Sequence, residues 1–444
     1  MASEDETPGS NCEYQSDSQS ESSTLIYSQE PFETFQKRVI ELCQHLFDTS
    51  SGEISIERLQ GGGFNRITGV SVVKSNEEPP VSIQYILRVP RFEIVELDYD
   101  IAPLKLLRQE SSIPVPETVK FDLTSSNALG RPFMLQKRIP GESLYKINAD
   151  LTHDEKCAIA TGLGRVVSEL HSIRSTITGR LCWKSPEEQL MIQPFGDQEV
   201  VTLLPYEKGP ATQSCFDMLR AILEPKIEKV AASNPDEVEL LEEPHLLTMA
   251  SEMNDLGVLD ESSYCLCHLD LQPRNILAGS SKPTESLALT GVLDWDSAVF
   301  APLIMSCDPP MWLWVNDSIE DKRVAGDEPS TAELRELKQL FEQAAGPIYS
   351  RFSYDDRYRL ARQLIRFIIE GINTNEAYRA FFLLQSEWDE LKESLDLPKL
   401  DLEDQSEPAS TNEIAEDDSE SYSPKEDAAW SQSGRIAEAE IERQ

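Results

Sequence analysis

The stretch Cys267-His268-Leu269-Asp270-Leu271-Gln272-Pro273-Arg274-Asn275, followed downstream by Gly291-Val292-Leu293-Asp294-Trp295-Asp296, carries polar side chains at the spacing that phosphoryl transfer needs. In that chemistry an Asp takes the proton of the incoming hydroxyl. An Asn five residues later binds the metal on the nucleotide phosphates, and a further Asp completes the metal site. These roles fall to Asp270, Asn275 and Asp294. Asp296 is expected either to stabilise the loop beside them, the favoured role, or to be an additional neighbour of the metal, and His268 to hold the loop by hydrogen bonds as a buried histidine.

Such a site needs a phosphate-holding half upstream. Gln60-Gly61-Gly62-Gly63-Phe64-Asn65 lies between two strand candidates, where glycines let backbone amides approach phosphate oxygens. It matches neither GxGxxG nor the P-loop pattern, so its meaning comes from its position. Beyond it, Tyr85-Ile86-Leu87-Arg88-Val89-Pro90 closes an apolar strand with a cation, where a residue holding the α- and β-phosphates belongs. Arg88 is permanently charged and can grip phosphate bidentately. It needs an acidic partner on the following helix, and either Asp100 or Glu96, one turn apart, can serve.

The elements that position these residues form two regions. Phe32, Phe35, Val39, Leu42, Cys43, Leu46 and Phe47 recur at helical spacing and predict an amphipathic helix packed on the first sheet. Short β-rich runs at 54–59, 69–74, 81–89 and 133–136 surround one helix at about 96–110. Beyond Pro140-Gly141 helical periodicity dominates, at 154–171, 216–232, 331–343, 355–370 and 375–395, with one β-rich inset at 264–300. The expectation is an α+β chain: a nucleotide-binding N-lobe over 29–139 and a helical C-lobe over 140–401, with a substrate insert at 183–262. Residues 1–28 and 402–444 are acidic and poor in large apolar residues, and are expected to be disordered tails.

Composition sets limits on function. The formal charge of −39 argues against nucleic acid, because an acidic field repels phosphate backbones. The 8 cysteines lack the pairing of a disulfide framework or a zinc ribbon, and suit reduced thiols in the cytoplasm. Cys265 and Cys267 read as the inward face of a strand. No apolar run reaches a membrane span, and the acidic N-terminus does not resemble a signal peptide.

These residues resemble the aminoglycoside phosphotransferase and choline kinase family, in particular its large, divergent fungal group. The match consists of HxDxxxxN at 268–275, Val292-Leu293-Asp294-Trp295-Asp296-Ser297-Ala298, Pro114-Val115-Pro116, a strand ending at Pro140-Gly141 with Ser143-Leu144 after it, and Leu170-His171. It runs from about Leu59 to Pro310. The resemblance implies a protein-kinase-like two-lobed fold, ATP and Mg2+ as cofactors, and transfer of phosphate to a hydroxyl of a small molecule. It also implies an adenine site on the backbone around Gln136, Lys137 and Arg138 and a phosphate loop at Gly61, Gly62, Gly63 and Asn65. Leu269 departs from the Gly or Asn common at its position, and Arg88 from Lys.

A non-catalytic nucleotide-binding or protein-interaction module is the second expectation, disfavoured by the intact Asp270, Asn275 and Asp294. Protein kinase activity is the third, and it lacks an activation segment with an APE-type end. No motif identifies the acceptor. Trp312-Leu313-Trp314 offers one wall of an aromatic cage for an ammonium group, although a Trp pair on a helix is ordinarily core.

Overall fold

The computed structural model describes residues 29–59, 63–74, 80–92, 97–184, 189–195, 201–202, 213–233, 241–260, 263–280, 287–315 and 328–395. The two expected tails, Gly61, Gly62 and Glu96 lie outside the described residues. In chain order the first elements are α1 (Phe32–Phe47), β1 (Ile54–Arg58), β2 (Asn65–Lys74), β3 (Val81–Pro90), α2 (Asp98–Glu110), β4 (Thr118–Asp122), β5 (Phe133–Lys137), β6 (Glu142–Ser143) and α3 (Leu144–Ile147). Then come α4 (His153–Ser172), β7 (Arg174–Ser175), β8 (Gly179–Lys184), β9 (Gln189–Pro194), β10 (Val201–Thr202), α5 (Cys215–Ser233) and α6 (Glu243–Asp255). The remainder are β11 (Tyr264–Cys267), β12 (Ile276–Gly279), β13 (Ala288–Val292), β14 (Val299–Pro302), α7 (Ala332–Ala345), α8 (Pro347–Phe352), α9 (Asp356–Glu370) and α10 (Asn375–Ser394).

The chain falls into two compact units. The first comprises the residues up to Gly162 together with Leu181–Ile192 and Asp270–Ala298, and the second holds the rest.

The first unit is built on an antiparallel sheet of order β1-β2-β3-β5-β4. Strand side chains alternate between faces. Tyr85, Leu87 and Val89 therefore point one way, into a core with Phe35, Val39, Leu42 and Cys43 of α1. Arg88 is sent to the other face, where α2 supplies Asp100. Lys105 of α2 lays its ammonium 3.4 Å from the ring centre of Trp183 and 5.2 Å from that of Phe121. These cation–π contacts tie the helix to its own unit. A second, three-stranded sheet of order β13-β12-β6 carries the hairpin whose last strand leads into Asp294.

In the second unit, β11 pairs with β7 and β14, Tyr264 lying opposite both Ser175 and Pro302. All four β11 residues are buried, which accounts for the thiols of Cys265 and Cys267 as strand interior. Helices α7, α9 and α10 start where hydroxyl or carboxylate caps stand: Thr331, Asp355 and Thr374 accept from the amides of Leu334, Arg357 and Ala377. Glu252 of α6 accepts from the Trp388 indole at 2.6 Å and the Lys392 ammonium at 3.0 Å, fastening α10. Strands at 174–202 and helix α6 add to the pattern expected from sequence, which placed a single β-rich inset at 264–300. No helix among the described residues is long and apolar enough to cross a membrane.

His171, at the end of α4, gives this unit a pH response. Burial, helped by the charge of Arg174 and opposed by a hydrogen bond with the Ser306 backbone, lowers its pKa from 6.5 to about 4. Above pH 6.5 the group is neutral in both folded and unfolded chains and contributes no difference. Between 6.5 and 4 the unfolded chain binds a proton that the folded one refuses, so stability falls by up to about 3 kcal/mol. His171→Gln is expected to flatten that acid limb when denaturant midpoints at neutral and mildly acid pH are compared.

Candidate active site

Arg88 is the hub of the first unit's polar centre. One of its terminal nitrogens lies 3.3 Å from Asp100, 3.3 Å from Asp294 and 3.7 Å from Asp296. Its burial opposes the charge, yet Asp100, Asp294 and Asp296 outweigh that and hold its pKa above the ordinary guanidinium value. Asp100 is buried in the first turn of α2. Of the two acids the sequence offered as partners, this is the one the structure brings to Arg88, Glu96 being outside the described residues.

Asp294 is placed by its neighbours in the chain. The Leu293 amide donates to the Asn275 carbonyl at 2.7 Å, and the Trp295 indole donates to the Val292 carbonyl at 2.9 Å. Val292 in turn donates to the carbonyl of Pro114 at 2.8 Å. Between these anchors Asp294 takes φ +64°, a left-handed conformation that an L residue holds only when its surroundings over-determine it. The register of β12 on β13, Ile276 opposite Val292, sets Asn275 and Asp294 at the same end of the hairpin.

The Asp270 carboxylate is held by Asn275 Nδ2 at 2.6 Å and by one nitrogen of Arg274 at 2.9 Å from each oxygen. With its amide NH2 turned to Asp270, Asn275 keeps Oδ1 as its side-chain acceptor. Ser143 pegs the loop from β6, donating to the carbonyls of Pro273 and Arg274 at 3.1 and 3.2 Å. Both Ser143 and Arg274 belong to the site, and sequence reasoning assigned neither a role there. The available signal was weak: a serine after the Pro-Gly pair, and an arginine four residues beyond the candidate base.

His268 is buried at the end of β11 in the second unit. Leu269 follows with φ +63°, which explains in steric terms why Gly or Asn suits this position. Leu269→Asn is expected to match or exceed the native melting temperature. Leu269→Ile, with its β-branch against a left-handed backbone, is expected to cost about 1 kcal/mol or more in denaturant unfolding.

The remaining expectations divide. Gly63 is half-buried, and Asn65 is buried at the start of β2, opposite Pro90. At the expected adenine hinge, the Lys137 amide donates to the Glu117 carbonyl and the Arg138 amide to the Gln84 carbonyl, both at 2.9 Å. Those two donors are committed to strand pairing that is invisible in the sequence, which leaves the carbonyls and the neighbouring amides for any adenine contact there. Gln136 is buried, Lys137 pairs with Glu117, and Arg138 pairs with Glu57. Trp314 is core, packed on the Phe341 ring at 5.6 Å, and does not line a cage.

Two features test whether a metal-bound nucleotide fits. One positive charge at Arg88 faces three carboxylates, an imbalance that a divalent cation would offset, and the donors on offer, Asp294, Asp296 and the Asn275 amide, are the hard oxygens that Mg2+ takes. Arg88 Nε is buried with no hydrogen-bond partner among the described residues, and an anionic phosphate oxygen would satisfy it. The residues fit the group.

Residues 70–336 match the sequence model of the phosphotransferase enzyme family. Two Aspergillus fumigatus proteins described as subtelomeric hrmA-associated cluster proteins are 28% identical to the chain over 133 and 130 residues. Those stretches are 29% and 28% of this chain and 25% and 24% of the relatives, so the chain spans about a quarter of the length of these curated relatives. Among solved structures, a thermostable mutant of aminoglycoside phosphotransferase APH(4)-Ia, in ternary complex with AMP-PNP and hygromycin B, is 17% identical with TM-score 0.45. The alignment covers 80% of this chain and 98% of that one. Plasmodium vivax ethanolamine kinase is 10% identical with TM-score 0.48, covering 85% and 96%.

Proposed function

The chain belongs to the phosphotransferase enzyme family, and we propose that within it this protein is an ATP- and Mg2+-dependent phosphotransferase acting on a hydroxyl of a small molecule. Its α+β architecture, with a β-rich first unit and a mostly helical second, is the protein-kinase-like fold of that family. The observation that carries the proposal is the convergence of Asp100, Asp294 and Asp296 on the buried Arg88 guanidinium, in the same unit as the Asp270–Asn275 pair.

In this reading Arg88 neutralises and orients the nucleotide phosphates. Asp294 and Asn275 Oδ1 would hold Mg2+, which when bound would supply positive charge against the phosphate oxygens. Asp270 orients the acceptor hydroxyl and receives its proton. The fixed loop, pegged by Ser143 and Asn275, supplies the positioning on which phosphoryl transfer mainly depends.

Thermal unfolding with and without millimolar ATP and Mg2+ tests the nucleotide half. At a ligand concentration 100 times Kd the stabilisation is about 2.7 kcal/mol, and Asp294→Asn is expected to lose its magnesium-dependent part. A native protein whose melting ignores ATP and Mg2+ rules the proposal out.

A further inference from the structure

Arg274 sits where acceptor choice would be made. A single guanidinium nitrogen spans both Asp270 oxygens, and the rest of the fork, Nε and the second terminal nitrogen, makes no hydrogen bond among the described residues. The side chain is 63% exposed, while the backbone beneath it is fixed through the Ser143 bond to its carbonyl. A planar fork with spare donors, on a fixed backbone, against the group that receives the hydroxyl proton, is a recognition element for carboxylate or phosphate oxygens.

Resting on the phosphotransferase reading above, we propose that Arg274 is a specificity-determining residue and that the acceptor carries an anionic oxyanion group, a carboxylate or a phosphate, close to the hydroxyl it offers. An ammonium in the same place meets a guanidinium of like charge, which rejects amino-alcohol and aminoglycoside acceptors by repulsion. The chain's overall charge of −39 pulls the other way. At physiological ionic strength, however, exposed charges beyond about 8 Å are largely screened, so the cation in contact decides. In the transfer itself the acceptor O–H breaks and its proton goes to Asp270. The acceptor oxygen bonds the γ-phosphorus of ATP, and the bond from that phosphorus to the bridging oxygen breaks, the electron pair leaving with ADP.

The test uses the full chain with ATP and Mg2+ and a panel of hydroxyl compounds matched in size and differing in charge. Sugar acids and hydroxy acids, their neutral parents, and the corresponding amino sugars and amino alcohols are compared, with phosphorylated product read by mass. Turnover is expected in the anionic class, with kcat/KM at least tenfold above the ammonium class. Arg274→Gln is expected to erase that preference through KM for the acceptor while KM for ATP stays within twofold, and Arg274→Lys to recover part of it. A preference for neutral or ammonium acceptors, an anionic preference that survives Arg274→Gln, or no anionic turnover in a chain that still binds ATP overturns the inference. Absence of nucleotide binding sinks the phosphotransferase reading instead, so the two failures are distinguishable.

Discussion

Asp270→Asn is expected to keep ATP binding and to lower phosphoryl transfer by about 10²–10⁴-fold, the range a positioned general base contributes. The substitution removes the proton acceptor and leaves the shape. Asn275 and Arg274 keep an oxygen to donate to, and Arg88, Asp100 and Asp294 are untouched. Nucleotide affinity measured by thermal shift should therefore match the native protein while product formation collapses. Equal turnover in the two proteins refutes the role assigned to Asp270. Lost ATP binding in the variant would mean that the loop, more than the proton transfer, depends on this carboxylate.

Arg88→Met has the larger effect on the fold. Met matches much of the stem but leaves the buried Asp100 without a cation, beside the partly exposed Asp294 and Asp296. Removing one partner of a buried ion pair, here Arg88–Asp100, costs about 3–5 kcal/mol. Denaturant unfolding should register that loss, and the stabilisation by ATP and Mg2+ should vanish with it. Arg88→Lys, which keeps a charge and gives up the fork, is expected to fall between. A double-mutant cycle with Asp100→Asn isolates the pair: part of the loss should be recovered when both are changed, because the orphaned carboxylate is gone. An Arg88→Met protein as stable as the native one would show that the three carboxylates do not depend on this guanidinium.

Much of this arrangement is legible in the sequence, for reasons that differ by element. Phe35, Val39, Leu42 and Cys43 repeat at the helical period and form the buried face of α1. Thr331 and Asp355 announce helices because their side chains cap amides. Helix α6 escaped notice although Leu246, Met249, Ala250 and Met253 follow the helical period, because no side-chain cap marks its start after an acid-rich run. Strands β7 and β10, two residues each, are too short for any period to appear. At the site, residue types and spacings brought forward Asp270, Asn275, Asp294 and Arg88, and narrowed the acid on α2 to two positions. Main-chain geometry is another matter. The left-handed backbone at Leu269 and Asp294 and the committed amides of Lys137 and Arg138 arise from tertiary pairing and have no local signature.

The residues that meet at Arg88 are far apart along the chain, Arg88 and Asp294 being separated by 206 positions. At about 5–20 residues per second, synthesis of the stretch between them takes roughly 10–40 s. For most of that interval the sheet carrying Arg88 and the helix carrying Asp100 exist as polypeptide, while the hairpin that completes their unit does not. Nucleotide therefore cannot assist the early folding of the nascent chain. Truncated products ending before Asp294 would lack a metal-holding carboxylate of the site however well their first strands pair, and quality control would meet a half-built first unit for tens of seconds.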